Sequence, residues 1–111
     1  MFNKELVGAS TVPLILTVLL SGENYGYELI KKVKLLSKGK LEWSEAMLYP
    51  VLHRLERDGL IHSKWRQLEN GRKRKYYSLS DQGRAELAAK KSDWIEMIQL
   101  FSELWNLKPA V

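Results

Sequence analysis

The sequence predicts a mainly α-helical fold with one small β-hairpin, and three patterns carry that expectation. Apolar residues recur at helical spacing in three segments before Gly59, the period changes to two between Leu60 and Leu79, and a long helical pattern with a broad apolar surface fills the rest. A chain of 111 residues is one domain's worth. In order the elements are helix, helix, helix, hairpin, long helix.

Glu5 to Leu20 reads as a first helix, apolar on most of its surface and therefore buried. Pro13 removes a backbone donor inside it, so a kink there, or a regular helix beginning only near Ser10, is expected. Ser21 to Asn24 is turn chemistry. A second helix follows from Tyr25 to Ser37, with Leu29, Ile30, Val33 and Leu36 on one face. Gly39 suits the left-handed position after a helix. Ser44 then offers an N-cap for a third helix whose Leu48, Val51, Leu52 and Leu55 line one side. Pro50 falls in its second turn and calls for local adjustment, and Gly59 stops it. The segments LIHSKWRQL and KYYSL alternate as strands about a turn at Glu69 to Gly71. Of Tyr76 and Tyr77, one should pack inward beside Trp65 and the other lie outward. Ser80 caps a fourth helix that runs to about Leu107.

Charge divides the chain. The net charge is +5, yet residues 1–79 hold 14 lysines and arginines against eight carboxylates, while residues 80–111 hold four against five. The basic excess belongs to the first part, and the last helix has another task. The chain contains no cysteine, which rules out disulfides and thiolate metal sites and suits a reducing compartment. No signal peptide is evident, and the longest apolar run, Val12 to Leu20, is too short for a bilayer, which takes about 20 residues. A cytoplasmic protein without a membrane segment is expected. Enzyme chemistry is not: the two histidines, His53 and His62, have no ligand-like spacing, and there is no cysteine nucleophile or phosphate-cradling glycine loop. Neither a metal nor a cofactor is expected.

Three helices followed by a two-stranded hairpin describe a winged helix-turn-helix, in which the third helix enters the DNA major groove and the wing meets the backbone nearby. With Leu48, Val51, Leu52 and Leu55 facing the core, Glu45, Ala46, Tyr49, His53, Arg54 and Arg57 face outward. Ser44, Glu45, Ala46, Tyr49, His53 and Arg54 are the candidate DNA-facing set on this helix. His53 and Arg54 are suited to base edges and Tyr49 to a phosphate. On the wing, Arg72, Lys73, Arg74 and Lys75 are expected at or just past the tip, unscreened and free to neutralise phosphates. The division predicted is a DNA-binding domain over residues 1–79 and a dimerisation helix over residues 80–111.

In that last helix Leu87, Trp94, Ile98, Phe101 and Trp105 recur as a heptad-like seam, and Ile95, Met97, Leu100, Leu104 and Leu107 widen it. A lone domain needs an apolar arc of only about 100° or somewhat more. The excess predicts a homodimer, whose two-fold axis would set two recognition helices on half-sites about one DNA turn apart.

The segments NYGYELI, SEAMLYPVLHRLERDGLI and GRKRKYYSLSDQG together resemble the PadR family of bacterial transcriptional regulators, and the resemblance runs from about Leu6 to Trp105. The length is similar to that of the short subfamily with a single C-terminal helix, including multidrug-sensing members. The resemblance implies a homodimer that binds an inverted-repeat operator, usually represses, and often responds to small aromatic or cationic compounds. It also implies a ligand role for Trp94, stacking on a planar effector, with Asp93 or Glu96 beside a cationic one and Met97 lining the cleft; packing of Trp94 in the dimer seam is the other reading. Many relatives carry a hydroxyl residue just before LYP, where this chain has Met47, so its operator preference is expected to differ. A winged helix used only for protein–protein contact would have the same fold and seam, but no need of cations on the wing and third helix.

Overall fold

The computed structural model describes residues 2–106. The elements run α1 (Lys4–Leu20), β1 (Asn24–Tyr25), α2 (Gly26–Leu36), α3 (Glu45–Arg57), β2 (Ile61–Gln67), β3 (Lys73–Leu79) and α4 (Asp81–Trp105). The expected order of helices and hairpin is therefore present. Leu107 and the rest of the C-terminus lie outside the described residues.

α1 starts at Lys4 rather than near Ser10, because Asn3 caps it: the Asn3 side chain accepts from the Leu6 N–H at 2.9 Å. It then passes through Pro13 as one helix. One turn on, the Thr17 hydroxyl donates to the Pro13 carbonyl at 2.6 Å. Ile15, Leu16, Val18 and Leu19 enter the core, where they meet Leu29 and Val33 of α2 and Leu48, Leu52 and Leu55 of α3. Leu36 does not join them and is 70% exposed, since α2 ends beyond the elements it packs against. Lys38 and Gly39 both take left-handed backbone (φ 55° and 81°) to turn the chain after α2.

The segment expected as a plain turn before α2 contains β1, which converts the wing into a three-stranded antiparallel sheet of order β1-β3-β2. Asn24 pairs with Tyr77 and Tyr25 with Tyr76. A two-stranded hairpin alone is marginal in water, so this third strand matters to the wing's rigidity. Between β2 and β3 the register sets Ile61 opposite Leu79, Ser63 opposite Tyr77 and Trp65 opposite Lys75, all on the face toward α3. Tyr77 is the inward tyrosine, and Tyr76 lies half-buried on the opposite face.

Ser80 ties the wing to α4. Its hydroxyl donates to the Gly59 carbonyl at 2.6 Å and accepts from the Gly83 N–H at 2.9 Å. Gly83 itself is pressed against the Leu60 carbonyl, so closely that a Cβ would collide with backbone. One turn later Leu87, 7% exposed, is buried with the core of its own subunit. Leu87 therefore leaves the expected dimer seam: its side chain has no surface left to offer a partner. From Lys91 to Asn106 the residues of α4 and its cap are exposed, and the helix accounts for the elongated 68 × 29 × 21 Å outline.

Candidate nucleic-acid interface

The start of α3 is fixed by Ser44, whose side chain accepts from the Met47 N–H at 3.1 Å. Glu45 stands in the first turn, where a carboxylate is favoured by the helix dipole. Glu45, Ala46, His53 and Arg54 are exposed and Tyr49 is half-buried, as the apolar spacing requires. They do not form one patch. Tyr49 and His53 face the wing across a cleft of about 620 Å³, whereas Arg54 turns to the other flank, into a groove of about 410 Å³ against Val7 and Thr11 of α1. Met47 and Val51 line that second groove.

The cleft has three walls. α3 contributes Tyr49 and His53, β3 contributes Lys73, Arg74 and Lys75, and the start of α2 contributes Gly26 and Tyr27. Gly26 is buried under the Tyr49 ring; a Cβ there would lie 2.8 Å from Tyr49 Cε1 and Oη. Burial, and then the nearby Glu45 carboxylate, push the Tyr49 hydroxyl above its ordinary value, so it stays protonated and able to donate near neutral pH.

The four wing cations are not equivalent. Arg72 lies in the turn, where the Leu68 N–H donates to its carbonyl at 2.7 Å and its own N–H donates to Asn70 Oδ1 at 3.0 Å. Lys73 opens β3 and is exposed. Arg74 is half-buried: its guanidinium sits 4.0 Å from the centre of the Tyr25 ring and reaches the Tyr76 hydroxyl at 3.5 Å. Lys75 points back toward α3 and pairs with Glu56 at 3.3 Å. The expectation of four free cations at the tip is thus corrected to two, because strand alternation sends 74 and 75 to opposite faces, each with a partner. Glu56 also accepts a hydrogen bond from Ser63, and that bond, with Lys75, holds its carboxyl below the usual range. On the outer face Arg66 pairs with Glu23 and lies 5.2 Å from the Tyr76 ring, which meets Tyr25 edge-on at 5.5 Å.

Sequence reasoning missed Tyr25, Tyr27 and Trp65, all of which line the cleft. Trp65 is 62% exposed and stands opposite Lys75. Counting the hairpin register back from the turn would have found it; Tyr25 carries no such signal, because β1 is defined only by its pairing with β3.

The chain matches the transcriptional regulator PadR-like family over residues 15–89. It belongs to that family. It is 30% identical over 106 residues, 93% of this chain and 97% of the other, to an uncharacterised protein of Lysinibacillus sphaericus. It is 34% identical over 86 residues to the transcriptional regulator YqjI of Escherichia coli, spanning 78% of this chain but 39% of that protein's length. Among solved structures, a PadR-like transcriptional regulator from Bacillus cereus superposes with a TM-score of 0.82 at 28% identity, covering 95% of this chain and all of the other. A PadR family regulator from Eggerthella lenta gives 0.80 at 30% identity, covering 94% and 88%. The winged-helix fold with a long C-terminal helix is thus a family property, and the family is one of regulators rather than enzymes. Among the described residues no helix is long and apolar enough to cross a membrane, and no cluster of metal-ligating side chains occurs.

The other predicted residues lie on the exposed stretch of α4. Trp94 lines a groove of about 350 Å³ with Leu6, Pro13 and Leu14 of α1 and Leu41 before α3. Asp93 and Met97 are exposed neighbours on α4 that do not line that groove. Ile98, Phe101 and Trp105 are exposed, with the Phe101 and Trp105 rings stacked at 5.2 Å.

Proposed function

We propose that this chain is a DNA-binding transcriptional regulator that acts as a homodimer on an inverted-repeat operator, as a repressor. The observation that carries the reading is the wing–α3 cleft, in which Tyr49 and His53 of one wall face Lys73, Arg74 and Lys75 of another. Such a cleft fits a phosphate backbone, while the exposed Glu45, Ala46 and His53, and Arg54 on the other flank of α3, are the side chains we assign to base edges. Residues 1–79 supply these contacts. The unpartnered apolar length of α4, with Trp94, Ile98, Phe101 and Trp105, supports assembly with a second copy, since exposed surface of this kind marks an interface. Two recognition helices about 34 Å apart would then address successive major grooves.

Fluorescence anisotropy with the gene's own upstream DNA at two salt concentrations tests this reading. The upstream fragment should bind more tightly than random duplex, and affinity should fall steeply with salt. Equal, weak binding to both fragments at both salts would overturn it and favour a winged helix devoted to protein contact.

Effector release is the finer part of the proposal. The apolar groove at Trp94 suits a small planar compound, and Asp93 and Glu96 on the same helix suit a cationic one. Titration with planar dyes, wild type against Trp94→Ala, should show at least tenfold weaker binding in the variant; unchanged affinity removes Trp94 from the site.

A further inference from the structure

One large apolar side chain of the sheet, Trp65, is left unused by the core. The sheet face toward α3 is buried at one end, where Ile61 and Tyr77 are each 1% exposed. Farther along, Ser63 and Lys75 are both taken up by Glu56. Beyond Ser63 on β2 stands Trp65, 62% exposed. Among the described residues no ring and no cation stacks on its indole. It lines the wing–α3 cleft with Tyr49, His53 and Lys73. A strand face in water ordinarily carries polar side chains, and an indole there keeps a large apolar area unburied.

The place of the cleft fixes what the indole would meet on DNA. Each backbone of a duplex separates the major groove from the minor groove. If α3 occupies the major groove and a backbone fills the cleft, the wing is the wall on the minor-groove side. Past the phosphates the surface there is deoxyribose, the apolar part of the backbone, against which a flat apolar ring can pack. Arg72 and Lys73, nearer the tip and exposed, add positive charge, which a narrow A·T minor groove attracts. A G·C pair, in contrast, projects the guanine amino group into that groove, where it would obstruct an inserted ring.

We propose that Trp65 is a specificity-determining residue whose indole packs on deoxyribose at the minor groove beside each half-site and makes the wing favour A·T over G·C pairs there. The proposal rests on the regulatory reading above and deepens it, because it gives the wing a share in sequence choice that its cations alone, as phosphate contacts, do not have.

The test is anisotropy with the full chain on the upstream segment that footprinting shows to be protected. That segment is made in three forms, whose base pairs beside each half-site are all A·T, all G·C or all I·C. Inosine keeps the major-groove pattern of guanine but lacks its minor-groove amino group. Wild type should bind the A·T and I·C forms alike and the G·C form at least about fivefold more weakly. Trp65→Ala should bind the A·T form at least about tenfold more weakly than wild type, and its A·T to G·C ratio should shrink at least about threefold. Trp65→Phe, which keeps a flat ring, should stay within about threefold of wild type on the A·T form. The salt slope and the thermal midpoint of Trp65→Ala should be unchanged, since the indole is uncharged and mostly exposed. Unchanged A·T affinity in Trp65→Ala overturns the proposal. So does an I·C form bound as weakly as the G·C form, which assigns the preference to the major groove. A shallower salt slope with a lower midpoint also overturns it and gives the indole to wing packing, and a lower sedimentation mass gives it to contact with a second copy. Upstream DNA bound by wild type no better than random duplex overturns the regulatory reading as well; every other failure leaves that reading standing.

Discussion

Gly26 and Tyr49 occupy one space: the tyrosine ring lies where a side chain at position 26 would begin, 2.8 Å from an ideal Cβ. The start of α2 and the outward face of α3 are thereby held at contact distance, with the Tyr49 ring against Gly26 where both line the cleft. Gly26→Ala should displace the ring and destabilise the fold by about 1–3 kcal/mol, the usual cost of overpacking. Truncating the ring should relieve that clash. In urea unfolding, Gly26→Ala on a Tyr49→Ala background should then cost at least about 0.5 kcal/mol less than on wild type, the scale of coupling between touching residues. Additive losses would show that the two residues do not compete for the space.

The wing cations should separate by experiment. Arg72→Gln and Lys73→Gln should each flatten the dependence of log affinity on log salt by about 0.9, with little change in thermal midpoint. Arg74→Gln should lower the midpoint as well, because the guanidinium leaves the Tyr25 ring. Lys75→Gln should act mainly on stability, through Glu56.

Acid should reveal Glu56. Its folded carboxyl titrates below the usual range because Ser63 donates to it and Lys75 lies beside it, so its stabilising contribution is present above the unfolded value of about 4.3. That contribution is lost as pH falls through the depressed folded value. Glu56→Gln should lower the thermal midpoint at pH 7, and the gap to wild type should narrow steadily below about pH 4. The side chain is 34% exposed, so the effect is modest. A gap of constant size across that range would assign the loss to packing instead.

Leu87 and Phe101 stand two heptads apart, yet substitution should have opposite consequences. Leu87→Ala removes a buried core side chain and should cost about 2–5 kcal/mol in unfolding while sedimentation still finds the assembled species. Phe101→Glu places a charge on the exposed apolar length of α4 and should yield single chains with weaker DNA binding.

Much of this was legible in the amino-acid pattern. The periods of 3.6 and 2 located four helices and the hairpin, and Ser44, Gly39, Gly59 and Ser80 marked ends that the backbone confirms. Other features depend on neighbours that no local pattern records. β1 is two residues long and exists only through its pairing with β3, so it has no period of its own. Leu36 sits at the right angle for burial but past the end of what α2 packs on. Leu87 fits a seam and a core equally well, and only the approach of α4 to Leu60 decides between them. The RKRK run looks uniform as text, whereas strand geometry gives its last two members different partners, Tyr25 and Glu56.

Gly83 pressed on the Leu60 carbonyl, together with the two-way bonding of Ser80, leaves no hinge between the wing and α4. At 1.5 Å per residue the 25 residues of α4 make an arm about 37 Å long. A tilt of about 5° at one end of such an arm moves the other by about 3 Å. In the proposed homodimer, a change that tips one arm against its twin would therefore swing each reading head as a rigid whole, and the spacing between heads would shift without any rearrangement inside either one.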